Sequence, residues 1–202
     1  MNELAARIEA SAEVLTSRVL AEMYADPFWR ARFGERADKH GRQDGMFHIK
    51  YLGEALRAND ASVMAQYARW LQQVLTTRGM CTRHLDENFE RLAAAIADAF
   101  ADSGPALEML DAARAALLYE DGPARRLQDA SATITHALAP RLGVPERDVV
   151  QLLSYAADSL ALAMPTVLTG HVAWLADHGT PAAHEQLVAI RAACAERGIA
   201  LP

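Results

Sequence analysis

The stretch that decides the fold runs from Trp70 to Leu92 and reads Trp-Leu-Gln-Gln-Val-Leu-Thr-Thr-Arg-Gly-Met-Cys-Thr-Arg-His-Leu-Asp-Glu-Asn-Phe-Glu-Arg-Leu. Two amphipathic helices meet in it. Leu71, Val74 and Leu75 close an apolar stripe that runs back through Ala68, Tyr67 and Met64 in steps of three and four, the period of a helix with one face inward. Arg78-Gly79 ends that helix, since glycine accepts the left-handed conformation of a helix stop. A second helix opens near Thr82 and sets Leu85, Phe89, Leu92, Ile96 and Phe100 on one face. Asp102-Ser103-Gly104-Pro105 stops it.

The same grammar extends in both directions. Leu4, Ile8, Ala12, Leu15, Val19 and Met23 predict one long N-terminal helix. Asp26-Pro27 predicts a new start, the Asp oxygen taking an orphan N–H and Pro fitting the first turn. A short aromatic segment from Phe28 to Arg36 follows. Gly41 and Gly45 are expected to loosen the chain before the stripe of Phe47, Tyr51, Leu52, Ala55 and Leu56, which Asn59-Asp60 breaks. Further stripes are Leu107, Leu110 and Leu117; Leu127, Ile134 and Leu138; Val149, Leu153, Ala156 and Leu160; Val167 to Leu175; and Leu187 to Cys194. Breakers divide them at Gly122-Pro123, Gly143-Val144-Pro145, Pro165 and Gly179-Thr180-Pro181, with Thr180 as N-cap. No strand-like alternation and no internal repeat is seen. The fold class is all-α, with eight to ten helices.

Composition agrees. Of 202 residues 42 are Ala, 11 Gly and 8 Pro, which favours helices, and 51% are hydrophobic, enough for a sizeable core. A net charge of −6 argues against a nucleic-acid partner, because phosphate neutralisation needs a concentrated basic face. No apolar run reaches the ~18 residues of a membrane span, and Met1-Asn2-Glu3 lacks the basic and hydrophobic regions of a signal peptide, which points to the cytoplasm and away from membranes. Cys81 and Cys194 are too few and too distant to form a disulfide framework.

Seven histidines invite a metal, yet no Glu-x-x-His or His-Glu-x-x-His pair occurs, and Cys81 with His84 supplies only half of a zinc ligand set. Most of the histidines therefore read as solvated; His171 and His178 share one side of a helix. Cys81, beside Arg78, Arg83 and a helix start, is in a setting that would lower a thiol pKa, but no positioned base accompanies it. The reading is a binding protein rather than an enzyme.

The corner between the two helices of Trp70–Phe100 resembles the F–G corner of a globin, and Ala25-Asp26-Pro27-Phe28-Trp29-Arg30-Ala31-Arg32-Phe33-Gly34 resembles the aromatic B–C region of bacterial sensor globins. Haem globins place their iron-binding His about one turn before that corner, where this chain has Val74 and Leu75. The resemblance thus implies a globin-like fold without haem, covering residues 1–120, with a C-terminal helical part over 121–202 packed into the same unit. Phe47 to Leu56, with Tyr67, Trp70 and Arg78-Gly79, is similar to the non-haem globin modules fused to cobalamin-binding photoreceptors, although this chain is too short and too helical to hold a Rossmann-like cobalamin domain. Cys81-Thr82-Arg83-His84 resembles the Cys-x-Arg-Asp motif of phycobiliproteins and the bilin-associated globins of bacteria, with His84 where those families have Asp.

That resemblance implies a bilin, such as biliverdin or phycocyanobilin, bound by a carrier or a light or ligand sensor. Cys81 would form any thioether, Arg83 would pair with a propionate, and His84 would face the pyrroles with Asp86 and Glu87 as nearby carboxylates. Phe28, Trp29, Phe33, Phe47, Tyr51, Tyr67 and Trp70 are candidate walls, and Arg78 and Lys50 further cations. Arg83 in the first helical turn would gain from the orphan N–H groups and the dipole there. Partners implied are a second copy of the chain and enzymes of bilin biosynthesis. The alternatives are a ligand-free globin-like module for dimerisation and signalling, and a helical enzyme of the haem-oxygenase type. Haem mixed with the purified protein is expected to give no Soret band that survives gel filtration; a surviving band with an axial His would overturn the reading of Val74 and Leu75.

Overall fold

Local chemistry sets the helix ends. Asp26 Oδ1 accepts the Phe28 N–H at 2.9 Å, and Pro27 occupies the first turn. Asn59 and Gly143 close their helices in the left-handed conformation, at φ 53° and 64°. The computed structural model describes residues 2–178 and 183–201, and these form eleven helices and no strand. They are α1 (Asn2–Ala10), α2 (Ala12–Met23), α3 (Pro27–Phe33), α4 (Arg36–Ala58), α5 (Ser62–Thr76), α6 (Thr82–Ala99), α7 (Gly104–Ala116), α8 (Gly122–Leu142), α9 (Glu146–Ala161), α10 (Pro165–Asp177) and α11 (Ala183–Ala195). The chain is all-α, as its periodicity requires. Thr180, expected as the last N-cap, lies outside the described residues. Among the described residues no helix is long and apolar enough to cross a membrane.

Three expectations are corrected, the first being the helix count, which is eleven among the described residues where eight to ten were expected. The N-terminal stripe is carried by two helices that part at Ser11. Ser11 stays near the helical region at φ −97°, ψ 8°, so the turn keeps phase and Leu4, Ile8, Ala12, Leu15, Val19 and Met23 are all buried across the break. Nor do Gly41 and Gly45 loosen anything: α4 runs through both. They are the places where α2 comes closest. A methyl at position 45 would stand 2.5 Å from Thr16 Cγ2, and one at 41 would meet the Tyr24 hydroxyl. The Tyr24 hydroxyl itself donates to the Ala37 carbonyl at 2.7 Å. Glycine here is a packing residue, since removing Cβ lets the backbones approach.

The chain divides into two compact units: residues up to Trp70 with Leu85–Leu117, and Leu71–His84 with the residues from Leu118 on. Residues 71–84 thus group with the C-terminal helices. The first unit buries Ile8, Ile49, Leu52, Leu56, Met64, Phe89 and Ile96 almost completely. Its surface carries ion pairs such as Arg57–Glu9, Arg18–Asp98 and Arg114–Asp86, exposed enough to add little stability. The second unit closes over Leu127, Ile134, Leu152, Tyr155, Leu168 and Ile190.

Two glycines test this packing with opposite signs. Alanine gains up to ~1 kcal/mol over glycine inside a helix, but overpacking a core contact costs ~1–3 kcal/mol. Thr16 is buried and too short to swing aside, so Gly45→Ala is expected to lower stability in urea unfolding by about 1 kcal/mol. Gly170 lies in α10 with nothing near its missing Cβ, so Gly170→Ala is expected to raise stability by about 0.5–1 kcal/mol. A neutral or stabilising Gly45→Ala would contradict the close approach of α2 and α4.

Candidate functional site

In the first unit, α4 and α5 bring three of the predicted aromatic residues together. Tyr51 and Tyr67 stack with ring centroids 4.1 Å apart and planes 15° from parallel, and Trp70 continues the row 6.1 Å from Tyr67. The heptad steps explain it: Phe47 and Tyr51 are one turn apart on α4, and Tyr67 and Trp70 one turn apart on α5. Trp70 is 56% exposed and Phe47 43%, large values for such side chains, and Met46, next to Phe47 in the chain, is exposed as well. Lys50 is exposed on the same helix and reaches Glu54 at 3.9 Å.

Behind this row sits a residue that sequence reasoning missed. His48 is buried, with Nδ1 2.8 Å from the Tyr67 hydroxyl and its ring edge-on to Tyr67 and Phe89. Burial drives the imidazole pKa down to about 3, so it is neutral, and burial also raises that of Tyr67. Its signal was its place in the stripe, one residue after Phe47 and one before the buried Ile49. The other predicted wall residues serve each other: Phe28, Trp29 and Phe33 form their own cluster, with Trp29 stacked 5.8 Å from Phe33.

Cys81, Arg83 and His84 lie in the second unit, at the start of α6, and their setting differs from expectation. Asp158 of α9 is fully buried there. Its Oδ2 accepts the Thr82 N–H at 2.8 Å, and its Oδ1 accepts the hydroxyls of Thr82 at 2.6 Å and Tyr119 at 2.7 Å. Ser154 Oγ accepts the Arg83 N–H at 3.0 Å, and His84 Nδ1 accepts the Cys81 N–H at 3.3 Å, the return half of a capping box. The orphan donors expected to draw a ligand's anion toward Arg83 are thus satisfied by the chain's own carboxylate and hydroxyl. The Cys81 thiol is buried, and its pKa is pushed up to about 12, chiefly by desolvation and then by the Asp158 charge. The expected lowering by Arg78 and Arg83 does not occur; Arg78 is exposed and desolvation wins. Asp86 is paired with Arg114 at 2.7 Å and Glu87 with Arg91.

The second unit also stacks its histidines. His171 is buried face to face with Tyr155 at 3.9 Å, and His178 is exposed and stacks on Trp174 at 4.4 Å. The Tyr155 hydroxyl donates to the Gly79 carbonyl at 2.8 Å. Of the seven histidines, His48, His84 and His171 are buried and the other four exposed. Among the described residues no group of three or more His, Cys, Asp or Glu gathers as metal ligands. Comparison with protein-family models, curated proteins and solved structures returned no match.

Burial raises the Asp158 pKa from 3.8 to about 6 against the hydrogen bonds of Thr82 and Tyr119, with Tyr119 and Cys81 as the titratable groups that feel its charge. The folded state therefore binds this proton more tightly than the unfolded chain, and the cost of burying the ionised form, present above pH 6, is relieved as pH falls toward 4. Relative to Asp158→Asn, the wild type is expected to gain about 2 kcal/mol of stability between about pH 7.5 and about pH 4.5. Urea unfolding of both proteins at the two pH values measures it; parallel pH profiles would refute a raised pKa.

Proposed function

We propose that this chain is a non-haem, globin-like binding protein whose ligand is a linear tetrapyrrole, held without a covalent bond on the face formed by Phe47, Tyr51, Tyr67 and Trp70. One observation carries the reading: a row of Tyr51, Tyr67 and Trp70 in which Tyr67 is buried while Trp70 remains largely exposed, with the exposed Phe47 one helical turn before Tyr51. An exposed apolar row of this kind suits a flat conjugated molecule, which stacks on rings and removes their area from water. Lys50 supplies a cation for a propionate on the same helix. The burial and high pKa of Cys81 favour reversible binding over a thioether, since only the thiolate attacks. As a carrier or sensor, the protein would meet the enzymes that make the bilin.

A second reading has the same observation behind it. Exposed Met46, Phe47 and Trp70 would equally suit the contact between two copies of the chain, as in a ligand-free dimerising module that passes a signal to a partner. The two readings separate on one variant. Biliverdin and phycocyanobilin, titrated into the wild type, are expected to give a shifted red absorption and to quench tryptophan fluorescence. Trp70→Ala is expected to weaken that binding about tenfold, the loss of roughly 1.4 kcal/mol of stacking and burial, with its unfolding midpoint unchanged. Cys81→Ala is expected to bind as the wild type does, and zinc-treated denaturing gels to show no bilin fluorescence. Absence of binding by the wild type, or equal affinity in Trp70→Ala, would sink the bilin reading; a dimer in light scattering that Trp70→Glu dissociates would then install the second.

A further inference from the structure

In the first unit, α2, α4 and α6 leave a small pocket between Thr16, Gly45, His48 and Asn88, with Val19, Leu20 and Leu92 as its apolar walls. About 10 Å³ of it is open to the centre of a water-sized sphere, close to the space one water molecule needs. Its lining is mostly apolar, and the three polar side chains that reach it, Thr16, His48 and Asn88, have hydrogen bonds that do not close. Asn88 Oδ1 is buried with no donor among the described residues, while its Nδ2 faces Met23 Sδ at 3.3 Å, a weak acceptor. Thr16 Oγ1 has only Met46 Sδ, at 3.9 Å. An amide oxygen shut away from any donor loses its hydration without return, so a donor in the cavity is favoured.

We propose that this cavity is a binding site for a single ordered water, which accepts from His48 Nε2–H and donates to Asn88 Oδ1 and Thr16 Oγ1. This arrangement gives each donor an acceptor. His48 is neutral and has one N–H and one lone pair. The Tyr67 hydroxyl lies 2.8 Å from Nδ1; taken as the donor, it puts the ring proton on Nε2. The water then makes three bonds, the usual number for a buried one. A polar chain Tyr67–His48–water–Asn88 follows, which fixes the ring of His48 and through it the inner edge of Tyr67. Gly45 matters here too, since a methyl at that position would press on Thr16 at the cavity wall. The site rests on this geometry whatever binds the outer aromatic face.

Long-range proton–nitrogen correlation of the wild-type protein is expected to show His48 as the Nε2–H tautomer, with a cross-peak from that proton to water. A crystal structure that resolves other internal waters is expected to show one in contact with Asn88 Oδ1. Asn88→Leu, which removes the acceptor and fills the space, is expected to lose the water cross-peak. An Nδ1–H tautomer, a dry cavity in the crystal, or a cross-peak that persists in folded Asn88→Leu would each overturn the proposal. If Asn88→Leu does not fold, the tautomer and the crystal structure of the wild type decide it.

Discussion

The carboxylate of Asp158 sits at zero exposure inside α9 and takes two hydrogen bonds from Thr82, 76 residues earlier in the chain. Isolated, an ionised carboxylate could not stay there, because its desolvation costs several kcal/mol. It stays because its three donors, the Thr82 N–H and the hydroxyls of Thr82 and Tyr119, are all on one side of the balance, and bonds to a charged group are worth about 1.5–3 kcal/mol each. The result is a compromise in which burial still lifts the pKa to about 6. The same group solves the problem that every helix start poses, the orphan N–H groups of its first turn. One buried acid therefore determines which helices the start of α6 belongs with. Gln72, which donates to Thr82 Oγ1 at 2.8 Å, brings the end of α5 into the same network.

The first unit rests on closeness rather than on charge. Gly41 and Gly45 leave room on α4 for the side chains of Tyr24, Leu20 and Thr16, and the ion pairs around them decorate a packing already set by apolar contact. Its polar interior includes the line of Tyr67, His48 and Asn88, with Thr16 beside it. A neutral imidazole is what makes that line tolerable: a charged His48 would have no buried partner, and its low pKa states the same fact in another form.

A function read from such a molecule must come from what the two cores leave over. Most large apolar side chains are buried, so the exposure of Trp70, Phe47 and Met46 together on α4 and α5 is surplus that folding does not explain. The start of α6, which carries the motif-like residues Cys81, Arg83 and His84, is by contrast consumed by structure: its donors are taken and its thiol is protonated. The face that folding leaves apolar and the motif that folding uses up divide the candidate site residues between them.

The helices were legible in the sequence because periodicity and breakers act locally: a stripe at steps of three and four, an Asp-Pro start or a Gly stop states its conformation through neighbours a few residues away. The stacking of Tyr51 on Tyr67 was half legible, since each lies on a readable stripe but nothing in the sequence says that the two stripes face each other. Gly41 and Gly45 were misread for the same reason. A glycine looks like a weakness until the helix that needs its missing Cβ is in place. Asp158 was visible only as a lone acid in the apolar run Tyr155–Leu162. That it caps α6, raises the Cys81 pKa and gathers residues 71–84 with the C-terminal helices was decided by tertiary structure alone, because desolvation and long-range hydrogen bonding depend on which groups fold around a charge, not on those beside it in the chain.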